Sequence, residues 1–157
     1  MNVMHPPFVH FVVALPVVAL FSQFTYQVTK DPAYSKAALR IIGFSFLISL
    51  FALFSGINDA SKIMEGHTIL KEGITVLQNH KIIGFVVVGL LLLSSLAKWF
   101  AVSKNSSTLE MLSLVLIIIT LMTSLYQGRS GGSLVYQYAG GIDKQIILQR
   151  AEEQKGK

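Results

Sequence analysis

The sequence predicts an all-α membrane protein, an up-down bundle of four transmembrane helices followed by a short C-terminal tail. Three observations carry this. Of 157 residues 52% are hydrophobic and 13% charged, where a soluble domain carries about 25% charged residues. The apolar residues fall into four blocks of about 20, enough to cross a hydrocarbon core of about 30 Å. The links between blocks are short, and short links make sequential helices antiparallel neighbours. The same composition excludes a soluble globular enzyme and a disordered chain, and the absence of cysteine excludes a disulfide scaffold. Long continuous runs also exclude an outer-membrane barrel, whose strands alternate over about ten residues.

The four spans are expected at residues 6–28, 37–57, 79–102 and 109–127. Pro6 and Pro7 suit a first helical turn, where the missing N–H has no partner to lose. The first span reads as retained rather than as a cleaved signal: it lacks a basic leader, and Pro16 interrupts its apolar stretch and is expected to kink it. Small residues such as Ser45, Ser49, Gly56, Gly84 and Gly89 allow close helix approach. The link at 58–78 is longer and polar, a surface segment. Gly128-Arg129-Ser130-Gly131-Gly132 reads as a breaker, so the transmembrane domain is set at 1–132 and the tail at 133–157. Asp143 is positioned to cap a final short helix, a solvated end or a segment lying on the membrane surface.

The net charge of +5 accompanies no basic run with interleaved aromatics, so nucleic acid is not an expected partner. The basic excess fits loops that face an anionic cytoplasmic leaflet. Lys30, Lys36, Arg40, Lys98 and Lys104 flank the first and third links, against Lys62, Lys71, Lys81 and Arg129 on the opposite face. Five against four places both termini in the periplasm of a bacterial inner membrane.

Parity of crossing puts all four histidines on one face: His5 and His10 open the first span, His67 lies in the second link, and His80 opens the third span. His10 and His80 lie at similar depth on diagonal helices, and one turn deeper stand Ala14 and Gly84, small enough to leave a slot for a flat ring. That is the requirement of a bis-histidine haem b, so His10, His80, Ala14 and Gly84 form the candidate cofactor site and electron transfer the leading function. The competing use of the same face is a zinc or copper site from His5, His67 and Asp59 with His10 and His80. A quinone pocket is a third, with Tyr136 or Tyr138 as polar contacts. Against all of these stands a cofactor-free accessory subunit, whose polar cluster ties helix ends together. Asp59 is either a helix-end polar group or the partner of Arg129 or of a ligating histidine. Arg129 is either that partner or an interfacial side chain reaching for water. No nucleophile elbow, triad spacing or phosphate-cradling glycine loop points to an enzyme, and no span carries a charge at mid-depth, which argues against an ion-coupled carrier. A redox protein partner and a homo-oligomer are compatible with the pattern.

His5-Pro6-x-x-Val9-His10-Phe11 at the start resembles the opening of the bacterial domain-of-unknown-function family 2231. The likeness continues through Gly56-x-x-Asp59, His80 and Gly131-Gly132-x-Leu134-Val135-Tyr136, nearly the whole chain in the same order. Where family members often carry a charged or histidine residue and a Gly-x-Gly-Val, this chain has Tyr138-Ala139-Gly140-Gly141-Ile142. The resemblance implies a small four-helix inner-membrane protein, sometimes associated with redox gene sets, and no established reaction.

Overall fold

The computed structural model describes residues 5–66 and 69–155. They form α1 (His5–Thr29), α2 (Pro32–Glu65), α3 (Gly73–Lys104), α4 (Ser107–Tyr136) and α5 (Lys144–Lys155), with no strand among the described residues. The first four are long and apolar enough to cross a membrane. Helix α1 packs on α2 and α4, and α3 packs on the same two. The order around the axis is therefore α1, α2, α3, α4, with α1 and α3 diagonal.

Polar side chains close the two tight links. Between α1 and α2, Lys30 takes the left-handed conformation (φ 57°) and Asp31 accepts the Ala33 N–H at 2.8 Å, with Pro32 at the first helical position. Between α3 and α4, Asn105 takes the left-handed turn (φ 47°) and the Ser106 N–H returns to the Ala101 carbonyl at 3.1 Å. Pro16 lies buried inside α1, which continues through it.

The buried positions recur every three or four residues: Val12, Pro16, Ala19 and Gln23 on α1, Ser35, Ala38, Ile42, Ser45 and Ser49 on α2, Val87, Leu91, Ser94 and Lys98 on α3, Glu110, Ser113, Ile117, Thr120 and Ser124 on α4. This 3.5-residue period keeps one stripe of each helix on the axis along its whole length. Serines, threonines and small apolar residues dominate the stripe, while Phe21, Phe54 and Met122 stand exposed on the outside. The bundle is thus partly polar within and apolar without, because its outer solvent is lipid.

Helices α2, α3 and α4 run beyond their expected ends. The polar segment at 58–78 is mostly helix, since α2 runs on to Glu65 and α3 begins at Gly73. The supposed breaker at 128–132 is the last part of α4. Hydropathy finds the length immersed in hydrocarbon; at about 1.5 Å per residue these helices are longer than that thickness. Beyond it they continue because Ala60, Leu77 and Leu134 form a second small core with Ile63, Ile69 and Val76. The chain then turns at Ala139 (φ 57°) and Gly141 (φ 81°), and the Tyr138 carbonyl accepts the Leu70 N–H at 3.0 Å, fastening the tail to the α2–α3 link. Asp143 caps α5 through the Gln145 N–H at 3.0 Å, and every α5 side chain described is exposed.

Candidate functional site: the histidine end of the bundle

His5, the first residue of α1, is fastened to α2 twice. Its backbone N–H donates to Asp59 Oδ2 at 2.8 Å and its ring Nδ1–H to the Ala52 carbonyl at 2.7 Å. The ring lies on Gly56, where a Cβ would come within 2.8 Å of it. His80 projects from the diagonal helix α3 and meets His5 edge to face, ring centroids 6.2 Å apart and planes at 89°. Its ring lies against Gly131, where a Cβ would stand 3.2 Å away. Gln127 donates its amide N–H to the His80 carbonyl at 2.8 Å, and the same nitrogen lies 3.2 Å from His80 Nε2. His80 Nδ1 and Gln127 Oε1 are buried with no hydrogen-bond partner among the described residues. With Nε2 accepting from the amide, Nδ1 carries the proton, so the orphan is a donor.

The structure does not bring His10 and His80 together. His10 is exposed and donates from Nδ1 to the Pro6 carbonyl of its own helix at 2.7 Å, and Ala14 is exposed beneath it. At about 100° per residue His10 stands roughly 200° round from the buried Val12, on the outer face. The space expected over Gly84 holds the Gln127 amide, 3.3 Å from where a Cβ would be. The paired imidazoles are therefore His5 and His80. His67 lies outside the described residues. Among the described residues no three potential ligands cluster as a metal site. Asp59 pairs with Lys62 at 3.5 Å on its own helix rather than with Arg129. Arg129 is exposed and lines a shallow cleft of about 200 Å³ with Tyr126 and Tyr138. Tyr136 points away, 89% exposed.

Sequence reasoning passed over Gln127, read only as a span end, and missed a second polar centre at the other end of the bundle. There Lys98 of α3, fully buried, forms an ion pair with Glu110 of α4, 4% exposed. Ser35 of α2 donates to Glu110 Oε1 at 2.5 Å and Lys98 donates to Ser35 Oγ at 2.8 Å. Gln23 of α1 donates to Glu110 Oε2 at 2.8 Å, and the Lys98 ammonium stands 5.3 Å from the Tyr26 ring centroid. Every helix of the bundle contributes. The signal was the spacing itself: Lys98 follows Ser94 by four residues and Glu110 precedes Ser113 by three, the period of the buried stripe.

A family model described as "Predicted membrane protein (DUF2231)" matches residues 2–144. No curated protein and no solved structure matches the chain. The features the family likeness rests on meet at one place: His5 on Gly56, Asp59 beneath the start of α1, His80 against Gly131. With the match running over most of its length, the chain belongs to the DUF2231 family of membrane proteins.

Proposed function

We propose that this multi-pass membrane protein is a redox subunit of a bacterial inner membrane, and that its centre is the His5–His80 pair, two imidazoles set across the axis to hold one haem b iron. The observation that supports this is the meeting of two imidazoles from diagonal helices, centroids 6.2 Å apart, with the His5 Nδ1–H spent on the Ala52 carbonyl so that its Nε2 keeps a lone pair. Bound there, the iron would supply one-electron chemistry. The protein's own part is to orient the rings: Ala52 selects the His5 tautomer with Nε2 free, Gln127 holds the His80 ring and would give up Nε2 to the iron, and the outer apolar surface keeps the site within lipid.

The test is a reduced-minus-oxidised visible spectrum of protein purified in detergent from haem-supplied cells. Sharp b-type bands are expected, abolished by His5→Ala and by His80→Ala and untouched by His10→Ala. A colourless protein, or bands that survive both substitutions, overturns the haem reading.

A cofactor-free accessory subunit is the second reading, favoured by the hydrogen bonds that already seat both rings. In that case the metal-free protein loses thermal stability in His5→Ala and His80→Ala alike.

Orientation follows from charge. Lys98 is buried in an ion pair and no longer counts as a loop-facing cation, which leaves Lys30, Lys36, Arg40 and Lys104 on the far face. The end of α4 at Tyr136 brings Lys144 and Arg150 of the tail within range of the membrane, beside Lys62, Lys71, Lys81 and Arg129. Six against four now favours termini and histidines in the cytoplasm, the reverse of the expectation from sequence. Because the chain has no cysteine, single substitutions report it: an impermeant maleimide should label Lys104→Cys on intact cells and leave Lys71→Cys unlabelled.

A further inference from the structure

Helix α4 turns an almost unbroken polar stripe toward the bundle axis. Glu110, Ser113, Thr120 and Ser124 are at most 4% exposed, and Gln127 completes the run at His80, with Ile117 the single apolar interruption. From Glu110 to Gln127 is 17 residues, about 26 Å at 1.5 Å per residue, close to the full hydrocarbon thickness. The neighbours extend it: Ser94 of α3 shares a hydrogen bond of 2.9 Å with Thr120, and Ser45 and Ser49 lie fully buried on α2.

Packing alone does not explain all of these hydroxyls. A serine or threonine in a membrane helix ordinarily satisfies itself on a carbonyl of the preceding turn, as Ser49, Ser113 and Thr120 do here. Ser45 and Ser124 do not, and their hydroxyls are buried with no partner among the described residues. The same holds for Gln23 Oε1 at one end, and for His80 Nδ1 and Gln127 Oε1 at the other. Each such group carries the desolvation cost of a polar atom buried without a partner, a cost that alanine would avoid at equal helix proximity. Unpartnered donors and acceptors therefore recur at both ends and between them, along the axis of a bundle whose outside is lipid.

We propose that this stripe is a transmembrane proton path, running between the Lys98–Glu110 pair at one face and the His80–Gln127 pair at the other. Water entering between the helices as they breathe would find these unpartnered atoms as its hydrogen-bond partners, and hydroxyls and water pass protons by accepting one as they release another. The net step moves one proton from face to face, with no bond to carbon broken and nothing oxidised. The groups facing the path ends are Lys98, Tyr26, Ser35 and Gln23 around Glu110, and His5, with Asp59 behind it, beside His80. Ile42, Leu91 and Ile117, all fully buried in one cluster, close the axis between them and form the gate. The hydroxyls and the gate lie apart from the two histidines, and His80 enters the path only as its end group.

The experiment uses the full chain in liposomes loaded with a pH-sensitive dye, under a potassium diffusion potential set with valinomycin. Wild type should move protons faster than protein-free vesicles. Ile117→Ser, which removes the gate, should raise the flux about tenfold or more, the factor given by about 1.4 kcal/mol of barrier. Thr120→Val, isosteric and without the hydroxyl, combined with Ser124→Ala, should abolish that gain. Flux equal to empty vesicles for both wild type and Ile117→Ser overturns the path, as does flux through Ile117→Ser that survives Thr120→Val and Ser124→Ala. Variants are compared only as monodisperse protein. Because Ile117 lies away from both histidines in sequence and layer, a colourless protein that conducts would sink the haem reading and leave the path standing.

Discussion

Two glycines decide how the histidine face is built. A methyl group on Gly56 would come within 2.8 Å of the His5 ring, and one on Gly131 within 3.2 Å of His80. Neither ring has a free direction to move in, since each is hydrogen-bonded elsewhere. Gly56→Ala should therefore destabilise the purified protein by about 1–3 kcal/mol, and the loss should shrink sharply when His5→Ala is present, because the smaller side chain vacates the space. Melting curves of the two single variants and the double variant measure that coupling; strictly additive losses would place the His5 ring elsewhere. Lys98 presents the charged counterpart. Lys98→Ala leaves a buried carboxylate without its cation, a loss of about 3–5 kcal/mol, whereas Lys98→Met together with Glu110→Gln removes both charges and should recover most of it. The same melting series checks this, and equal losses in the single and double variants would contradict it. His10 was the residue that sequence placed wrongly beside His80, since one helix seen alone does not reveal which side faces its neighbours.

At the scale of the element, the information lies in phase rather than in hydropathy. The four apolar blocks announced four spanning helices and the two tight links between them, because in lipid a continuous apolar run outside a closed barrel satisfies its backbone only as helix. Where each helix stops was less legible. Gly128, Gly131 and Gly132 weaken a helix in water by about 1 kcal/mol each relative to alanine, yet α4 runs through them, with Gly131 seating His80 and Gly128 turned toward α1, where an added Cβ would stand 3.6 Å from Val13. Replacing Gly132, where an added methyl would meet nothing within 4 Å, by alanine should be neutral or stabilising in a thermal melt. Gly131→Ala should not. Identical behaviour at the two positions would mean that local propensity, and not the histidine contact, governs this segment.

The whole molecule is a packed four-helix bundle with two polar ends and a partly polar axis, held inside an apolar sleeve. Composition and block length by themselves determined the class, the number of spans and the membrane setting, because the hydrophobic thickness of a bilayer imposes a length on any segment that crosses it. They also grouped the histidines on one face by parity. Tertiary structure alone decided which of those histidines meet, and it exposed Lys98 and Glu110 as an interior pair rather than loop charges. Those outcomes depend on the rotation of each helix about its own axis and on contacts between residues as distant as Gln23 and Glu110. Such pairings appear only when four stripes are brought to a common centre, since hydropathy sums over a helix and is blind to the direction in which any one side chain points.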